Sequence, residues 1–216
     1  MHTVCMLHTG NSGDKMNVIF DIGNVICEWD PGKLTNKVIT SPDQQKEMLD
    51  LVFRHSDWHE LDKGTITLET AIANAVRRSS RDPGQIEALY RGTPASLVPK
   101  PEIIETIHDL ASRGFPLYVL SNMQRHAWEY LSTRYSFWTV FKGIVVSCQI
   151  NLIKPDPEIF RYIIGRYALA PADTLFLDDM MENINAASAF GLNTIHVVNT
   201  DDYITRLYNV IGVERH

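Results

Sequence analysis

Cysteine is scarce: Cys5, Cys27 and Cys148 are the only three in 216 residues. Their wide spacing excludes a disulfide framework and a zinc knuckle. An odd number of thiols points to a reducing compartment, so the expected location is cytoplasmic. No window approaches the ~20 consecutive apolar residues needed to span a bilayer. The first residues lack an apolar core of signal-peptide length. There is no surplus of basic charge: 20 Lys and Arg stand against 26 Asp and Glu, a formal net charge of −6. That balance argues against a nucleic-acid surface. No run of one charge sign, internal repeat or low-complexity tract interrupts the chain. The expected partner is a small molecule, with no nucleic acid and no membrane, and the chain is expected as a monomer or homodimer.

What is present is the composition of a globular protein. A hydrophobic fraction of 44% supports a core. The length suits one core domain with a substantial insertion, or two small domains. Residues 1–15 include Gly10, Asn11, Ser12, Gly13 and Asp14, a composition that reads as a flexible tail. Met16 is an alternative start, because the first strand follows directly.

The stretch Val18 to Ile26 is a β-branched and aromatic run broken by Asp21, Gly23 and Asn24. It predicts a buried strand with a carboxylate at its exit. Glu28 to Gly32 reads as a turn-rich break. From residue 31 to residue 99 the pattern is helical, without a strand. Ser41-Pro42, Thr67 and Pro83 open three helices there. Strand–helix alternation then resumes. Strands are expected at Phe115–Leu120, Gly143–Ser147, Thr174–Leu177 and Asn193–Val198. Helices are expected from Pro101, from Gln124 to Arg134, from Asp156-Pro157, from Asn183 to Phe190 and from Tyr203 to Val210.

This alternation implies right-handed crossovers and an α/β fold with a doubly wound, mostly parallel sheet. A helical cap is inserted after the first strand. The expected divisions are 16–30 with 100–216 as the core and 31–99 as the cap. The turn at Asp30-Pro31-Gly32 and the loop from Pro94 to Pro99 are the expected hinges.

Three strands end in polar residues: Asp21, Ser121-Asn122 and Asp178-Asp179. All are carboxyl ends, so they share one edge of the sheet, where open α/β folds hold ligands. Three carboxylates there repel one another unless a cation joins them. Magnesium accepts one or two carboxylates and keeps its waters for a phosphate. Asp178-Asp179 alone would serve equally well as a helix N-cap. Ser121 and Asn122 offer a hydroxyl and backbone N–H groups for an anion, and they too are ordinary cap residues. Lys154 sits in a loop stiffened by Pro155 and Pro157, where its ammonium could face a carboxylate or phosphoryl oxygen.

The order Asp21, Ser121-Asn122, Lys154-Pro155, Asp178-Asp179 resembles the haloacid-dehalogenase-like (HAD) hydrolase superfamily over Met16 to Val198, and the helical insertion resembles its C1 cap. Phe20 to Val25, and Phe176-Leu177-Asp178-Asp179 followed by Asn183-Ile184, resemble the branch containing bacterial sugar-1-phosphate phosphatases.

The resemblance implies a magnesium-dependent hydrolysis of a small phosphomonoester through an aspartyl-phosphate on Asp21. Ser121 would bind a phosphoryl oxygen, with backbone help from Ile22, Gly23, Asn24 and Asn122. Lys154 would hold the nucleophile and the phosphoryl group. Mg2+ would be held by Asp21, the Gly23 carbonyl and Asp179, with Asp178 beside or just behind it.

The chain departs from the family pattern at Gly23, where most such phosphatases carry an acid/base aspartate. That leaves open a slow phosphatase, a substrate with a good leaving group such as a sugar-1-phosphate, or a catalytically weak phosphate-binding protein. A 2-haloacid dehalogenase shares the nucleophile but has no paired acidic metal site. A receiver domain carries its acidic pair early in the chain rather than late. His55 and His59 are candidates to supply the proton because imidazole as a class titrates in the right range, and Trp29 and Trp58 could line the cleft; all four also suit packing or surface roles.

Overall fold

The computed structural model describes residues 15–198 and 200–215. The expected tail, apart from Lys15, lies outside them. The strands are β1 (Asn17–Phe20), β2 (Cys27–Glu28), β3 (Val98–Pro99), β4 (Leu117–Ser121), β5 (Gly143–Val146), β6 (Thr174–Asp178) and β7 (Asn193–His196). Five of them form one sheet in the order β5-β4-β1-β6-β7. Every pairing in that sheet is parallel. The chain builds outward from β1 through β4 to β5, then returns to lay β6 on the other side of β1. The strand order therefore reverses beside β1, and a crevice opens at the carboxyl ends there.

Alternation along the central strands divides the core in two. Val18 and Phe20 of β1, Leu117 and Val119 of β4, and Leu175 and Leu177 of β6 face one apolar cluster. Ile19, Tyr118, Leu120 and Phe176 face the other. This is the period-2 geometry of a sheet buried on both faces. Helices α6 (Pro101–Ser112), α7 (Arg125–Arg134) and α11 (Thr200–Ile211) cover the first face. Helices α9 (Pro157–Tyr167) and α10 (Met181–Ala189) cover the second.

Between β2 and β3 lie α1 (Pro31–Val38), α2 (Pro42–Met48), a π-helical turn (Leu49–Phe53), α3 (Ser56–Lys63), α4 (Leu68–Arg78) and α5 (Pro83–Ser96). These helices share a third apolar cluster of their own, centred on Met48, Val52, Ile86, Leu89 and Tyr90. Trp29 packs against both this cluster and the sheet's first core.

Several expectations give way here. Asp30-Pro31-Gly32 is a helix start rather than a turn: Asp30 accepts from the Lys33 N–H at 3.0 Å, with Pro31 in the first turn. Asp-Pro-Gly is a composition that serves either purpose. Helix α3 was hidden because His55 caps it, Nδ1 accepting from the Asp57 N–H at 3.1 Å, in place of the usual Ser, Thr or Asp. Pro94 lies inside α5, so the loop expected from Pro94 to Pro99 does not exist as such. The chain instead leaves and re-enters the core through the short antiparallel ribbon of β2 and β3, a strand pair that the helical pattern concealed.

The first strand stops at Phe20. Beyond Asp21 the chain curls, and the N–H groups of Ile26 and Cys27 both donate to the Ile22 carbonyl at 3.0 and 2.8 Å. The strand gives way at its carboxylate exit to a buried turn through Gly23 and Asn24. Likewise Ser147 does not continue β5 but begins the one-turn helix α8 (Ser147–Ile150). No helix among the described residues is long and apolar enough to cross a membrane.

One long-range bond ties the last helix to the loop after β1. Tyr203 Oη donates to the Val25 carbonyl at 2.9 Å, and both residues are fully buried. Tyr203→Phe leaves that carbonyl without its donor and should lower stability by about 1–3 kcal/mol. Urea unfolding should show a lower midpoint with an unchanged slope.

Candidate active site

The carboxyl ends of β1, β4 and β6 deliver Asp21, Ser121 and Asp178 to one edge. Lys154 enters from the loop between α8 and α9. Its Nζ lies 2.9 Å from Asp21 Oδ1 and 2.6 Å from Asp178 Oδ2. It also donates to the Leu120 carbonyl at 3.0 Å. Lys154 is only 3% exposed. Asn122 fixes the lysine's backbone at two points: its Nδ2 donates to the Lys154 carbonyl at 2.9 Å, and its Oδ1 accepts the Lys154 N–H at 2.8 Å.

Asp178 is fully buried and committed on both oxygens. Oδ2 faces Lys154, and Oδ1 accepts from the Met180 N–H at 2.8 Å and from Asn183 Nδ2 at 2.9 Å. Asp179 lies nearer the surface. Its Oδ2 accepts from Asn24 Nδ2 at 2.9 Å. Asn24 adopts a left-handed backbone, φ 54°. Its Oδ1 accepts from the Trp29 N–H at 3.0 Å, and its carbonyl accepts from Lys100 Nζ. The Asn24 side chain is thus engaged in holding Asp179 and Trp29 rather than free for a substrate.

Asp21, Asp178 and Asp179 each offer an oxygen within 4.8 Å of the others. Burial pushes the Asp21 carboxyl well above its ordinary value; Lys154 pulls it down, and Asp178 and Asp179 push it up again. Asp179 is raised chiefly by burial, with Asp178 adding to it. For Lys154 burial opposes the charge, but Asp178 and Asp21 outweigh it and hold the ammonium above the usual lysine value. The residues supply hard oxygen donors and no thiolate or imidazole, a set that suits a cation such as magnesium. Asp21 and Asp179 reach the cleft, whereas Asp178 stands behind them.

That cleft has a volume of about 290 Å³ and lies between the sheet edge and the helical insertion. Gly23, Asn24, Asn122 and Lys154 join Asp21 and Asp179 on its floor. Ile22 offers only backbone, because its side chain is fully buried in the core. Ser121 is 1% exposed, and its Oγ has no hydrogen-bond partner among the described residues. Of the two histidines considered, His59 lines the cleft, while His55 is spent capping α3. Trp29 and Trp58 do face the cleft, stacked with ring centroids 5.9 Å apart, and Phe53 meets Trp58 edge-on at 4.8 Å.

Asp62 and Gln124 also line the cleft, and no motif announced either. Burial pushes the Asp62 carboxyl up to about 8, and the Gln124 and Trp58 side chains beside it offset only part of that. The one available signal was spacing. Trp58 and Asp62 are four residues apart and share a face of α3, but only once α3 is known to be a helix.

Lys154→Met leaves Asp21 and Asp178 buried side by side without their cation. Removing one partner of a buried ion pair typically costs about 3–5 kcal/mol. Urea unfolding should show a loss of that order, and adding Asp178→Asn should recover part of it.

Comparison with known proteins agrees with this geometry. The model of the haloacid dehalogenase-like hydrolases matches residues 16–191. The sesquiterpene phosphatase astK of Aspergillus oryzae is 24% identical over 90% of this chain and 95% of its own length. The drimenol cyclase drtB of Aspergillus calidoustus is 25% identical over 90% of this chain, which spans only 36% of that larger protein. A HAD family enzyme from Bacteroides thetaiotaomicron, solved with magnesium and inorganic phosphate, superposes with a TM-score of 0.66 at 22% identity, covering 89% of this chain and 99% of its own. The family match runs from the first strand past Asp178-Asp179, through every element that builds the cleft floor, and the chain belongs to the haloacid dehalogenase-like hydrolases.

Proposed function

We propose that this enzyme is a magnesium-dependent phosphatase that hydrolyses a small phosphomonoester, sugar phosphates among them, through an aspartyl-phosphate on Asp21. The observation that carries the reading is the buried Lys154 bridging Asp21 and Asp178 at the floor of a cleft that Asp179 also lines. A phosphoryl group brings negative charge, and phosphoryl transfer is accelerated chiefly by positioning and charge stabilisation.

In this reading an Asp21 oxygen attacks phosphorus while the bond to the leaving oxygen breaks. Lys154 orients that carboxylate and meets a phosphoryl oxygen. The unpartnered Ser121 hydroxyl and the N–H groups of Ile22, Gly23 and Asn122 receive the others. Asp21, the Gly23 carbonyl and Asp179 would hold magnesium, which supplies neutralising charge when bound. Asp178 holds Lys154 in place from behind. The neighbour solved with magnesium and inorganic phosphate supports this cofactor.

The cleft's opposite wall suits a flat apolar face. Trp29, Phe53 and Trp58 present aromatic surface there. A sugar ring and a terpenoid both offer such a face, and one relative is named a sesquiterpene phosphatase. Halide displacement from carbon needs no metal, so the Asp178-Asp179 pair favours phosphate over a haloacid.

The test is phosphate release from sugar-1-phosphates, sugar-6-phosphates, nucleotides, prenyl phosphates and an activated aryl phosphate, with and without magnesium. EDTA should abolish turnover, and Asp21→Asn should reduce it by about 10⁴-fold or more. Activity that survives either treatment overturns the reading. Silence across the panel from a folded, magnesium-binding protein favours a phosphate-binding role, with chloride release from 2-haloacids as the next assay.

A further inference from the structure

An alkoxide is a poor leaving group, and its departure from phosphorus needs a proton delivered as the bond breaks. Among the described residues, the charged groups of the cleft floor are already engaged, Asp21 with Lys154 and Asp179 with Asn24. Lys154 is held between Asp21 and Asp178, and Asp178 is committed on both oxygens. Gly23 has no side chain, although space is not the reason. A Cβ there would approach nothing closer than Trp29 Cβ at 4.0 Å.

The opposite wall differs. Asp62 lines the cleft from α3, its carboxyl beside the Gln124 and Trp58 side chains and within electrostatic reach of Asp21. Its position is tied to the core. Ser147 Oγ donates to the Asp62 carbonyl and accepts the Met123 N–H at 2.9 Å, so one hydroxyl joins α3 to the loop after β4. Asn151 Nδ2 donates to the Lys63 carbonyl at 3.0 Å. Gly64 ends α3 with φ 79°, and a Cβ there would lie 2.5 Å from the Cys148 carbonyl oxygen. Backbone therefore meets backbone where α3 touches α8. Three contacts in succession hold the end of α3 against the core, and Asp62 stands within them.

We propose that Asp62 is the general acid and base of this active site. The proposal rests on the phosphatase reading. In the first step the Asp62 carboxyl gives its proton to the leaving oxygen as the P–O bond breaks and the bond from Asp21 to phosphorus forms. In the second, the Asp62 carboxylate takes a proton from water as the water oxygen bonds to phosphorus. That step releases phosphate from Asp21 and restores the acid. Burial, reinforced by the Asp21 charge, pushes the Asp62 carboxyl up to about 8, the direction an acid that gives its proton needs. Among the described residues, the titratable and charged groups around it are His59 on its own helix and Asp21, Lys154, Asp179, Glu182, Cys148 and Arg125 from the core.

The test is Asp62→Asn, which keeps size and removes the titrating group. Single-turnover transfer from an alkyl phosphate or sugar-6-phosphate should fall about 10²–10⁴-fold, the usual worth of general acid–base help. Transfer from an activated aryl phosphate should be nearly unchanged. It should give a stoichiometric burst of phenol followed by slow turnover, with phosphorylated Asp21 visible by intact mass. Calorimetry should show inorganic phosphate and magnesium binding as in the parent enzyme, which separates a chemical role from a folding defect. Ser147→Ala should show the same leaving-group bias in weaker form. Equal losses with every leaving group, or no loss with any, overturn the role of Asp62 while leaving the phosphatase reading intact. Turnover indifferent to Asp21→Asn overturns that reading itself.

Discussion

The structure turns on one ammonium group. Lys154 Nζ sits in a fully enclosed position between Asp21 and Asp178, two carboxylates from adjacent central strands. Without it, the carboxyl edge of the sheet would gather negative charge in a largely buried place, at a cost of several kcal/mol per ion. Everything nearby serves that arrangement. Asn122 clamps the lysine's backbone, Pro155 and Pro157 restrict its loop, and Asn183 with the Met180 N–H saturates the far oxygen of Asp178. The charge is compensated for the protein's own sake, and the same cation is then aimed at whatever anion enters the cleft.

Asp178 and Asp179 have divided roles despite being neighbours in sequence. Successive residues leave a strand in different directions. Asp178 is still part of β6 and turns inward to the lysine, whereas Asp179 has left the strand and faces the cleft beside Asn24. Asn24 holds that division in place. Its left-handed backbone places one side chain between Asp179 and Trp29, so the acidic floor and the aromatic wall share a brace. Lys100, at the other end of the insertion, donates to the Asn24 carbonyl. The entry and exit of the helical insertion are thus both tied to the residue that orients Asp179.

The helical insertion has a core of its own, and the end of α3 is one place where it is joined to the sheet edge. A hydroxyl and a glycine do the coupling there, since only glycine lets the end of α3 approach the Cys148 backbone so closely. The approach of α3 to α8 is set by this backbone contact together with the Ser147 and Asn151 side chains. An enzyme whose chemistry depends on groups from both walls needs such a fixed spacing, because small misplacements of a reacting group are expensive in rate.

The sequence alone determined the doubly wound sheet, the helical insertion and the three strand ends that share one sheet edge. Each of these depends on short-range periodicity or on strand polarity, and both can be read along a chain. Asp21, Ser121, Lys154 and Asp178-Asp179 were legible for the same reason: each closes or follows a recognisable strand or loop. Helices α1 and α3 were not, because Asp30-Pro31-Gly32 reads equally as a turn and α3 begins with a histidine cap. With α3 unseen, Asp62 had no face to belong to. Tertiary structure decided which oxygen of Asp178 meets Lys154, that the side chains of Asn24 and Asn122 act as braces, and that Asp62 stands across the cleft from Asp21. Those facts rest on contacts between segments tens of residues apart, and local pattern carries no information about which distant partner a side chain will meet.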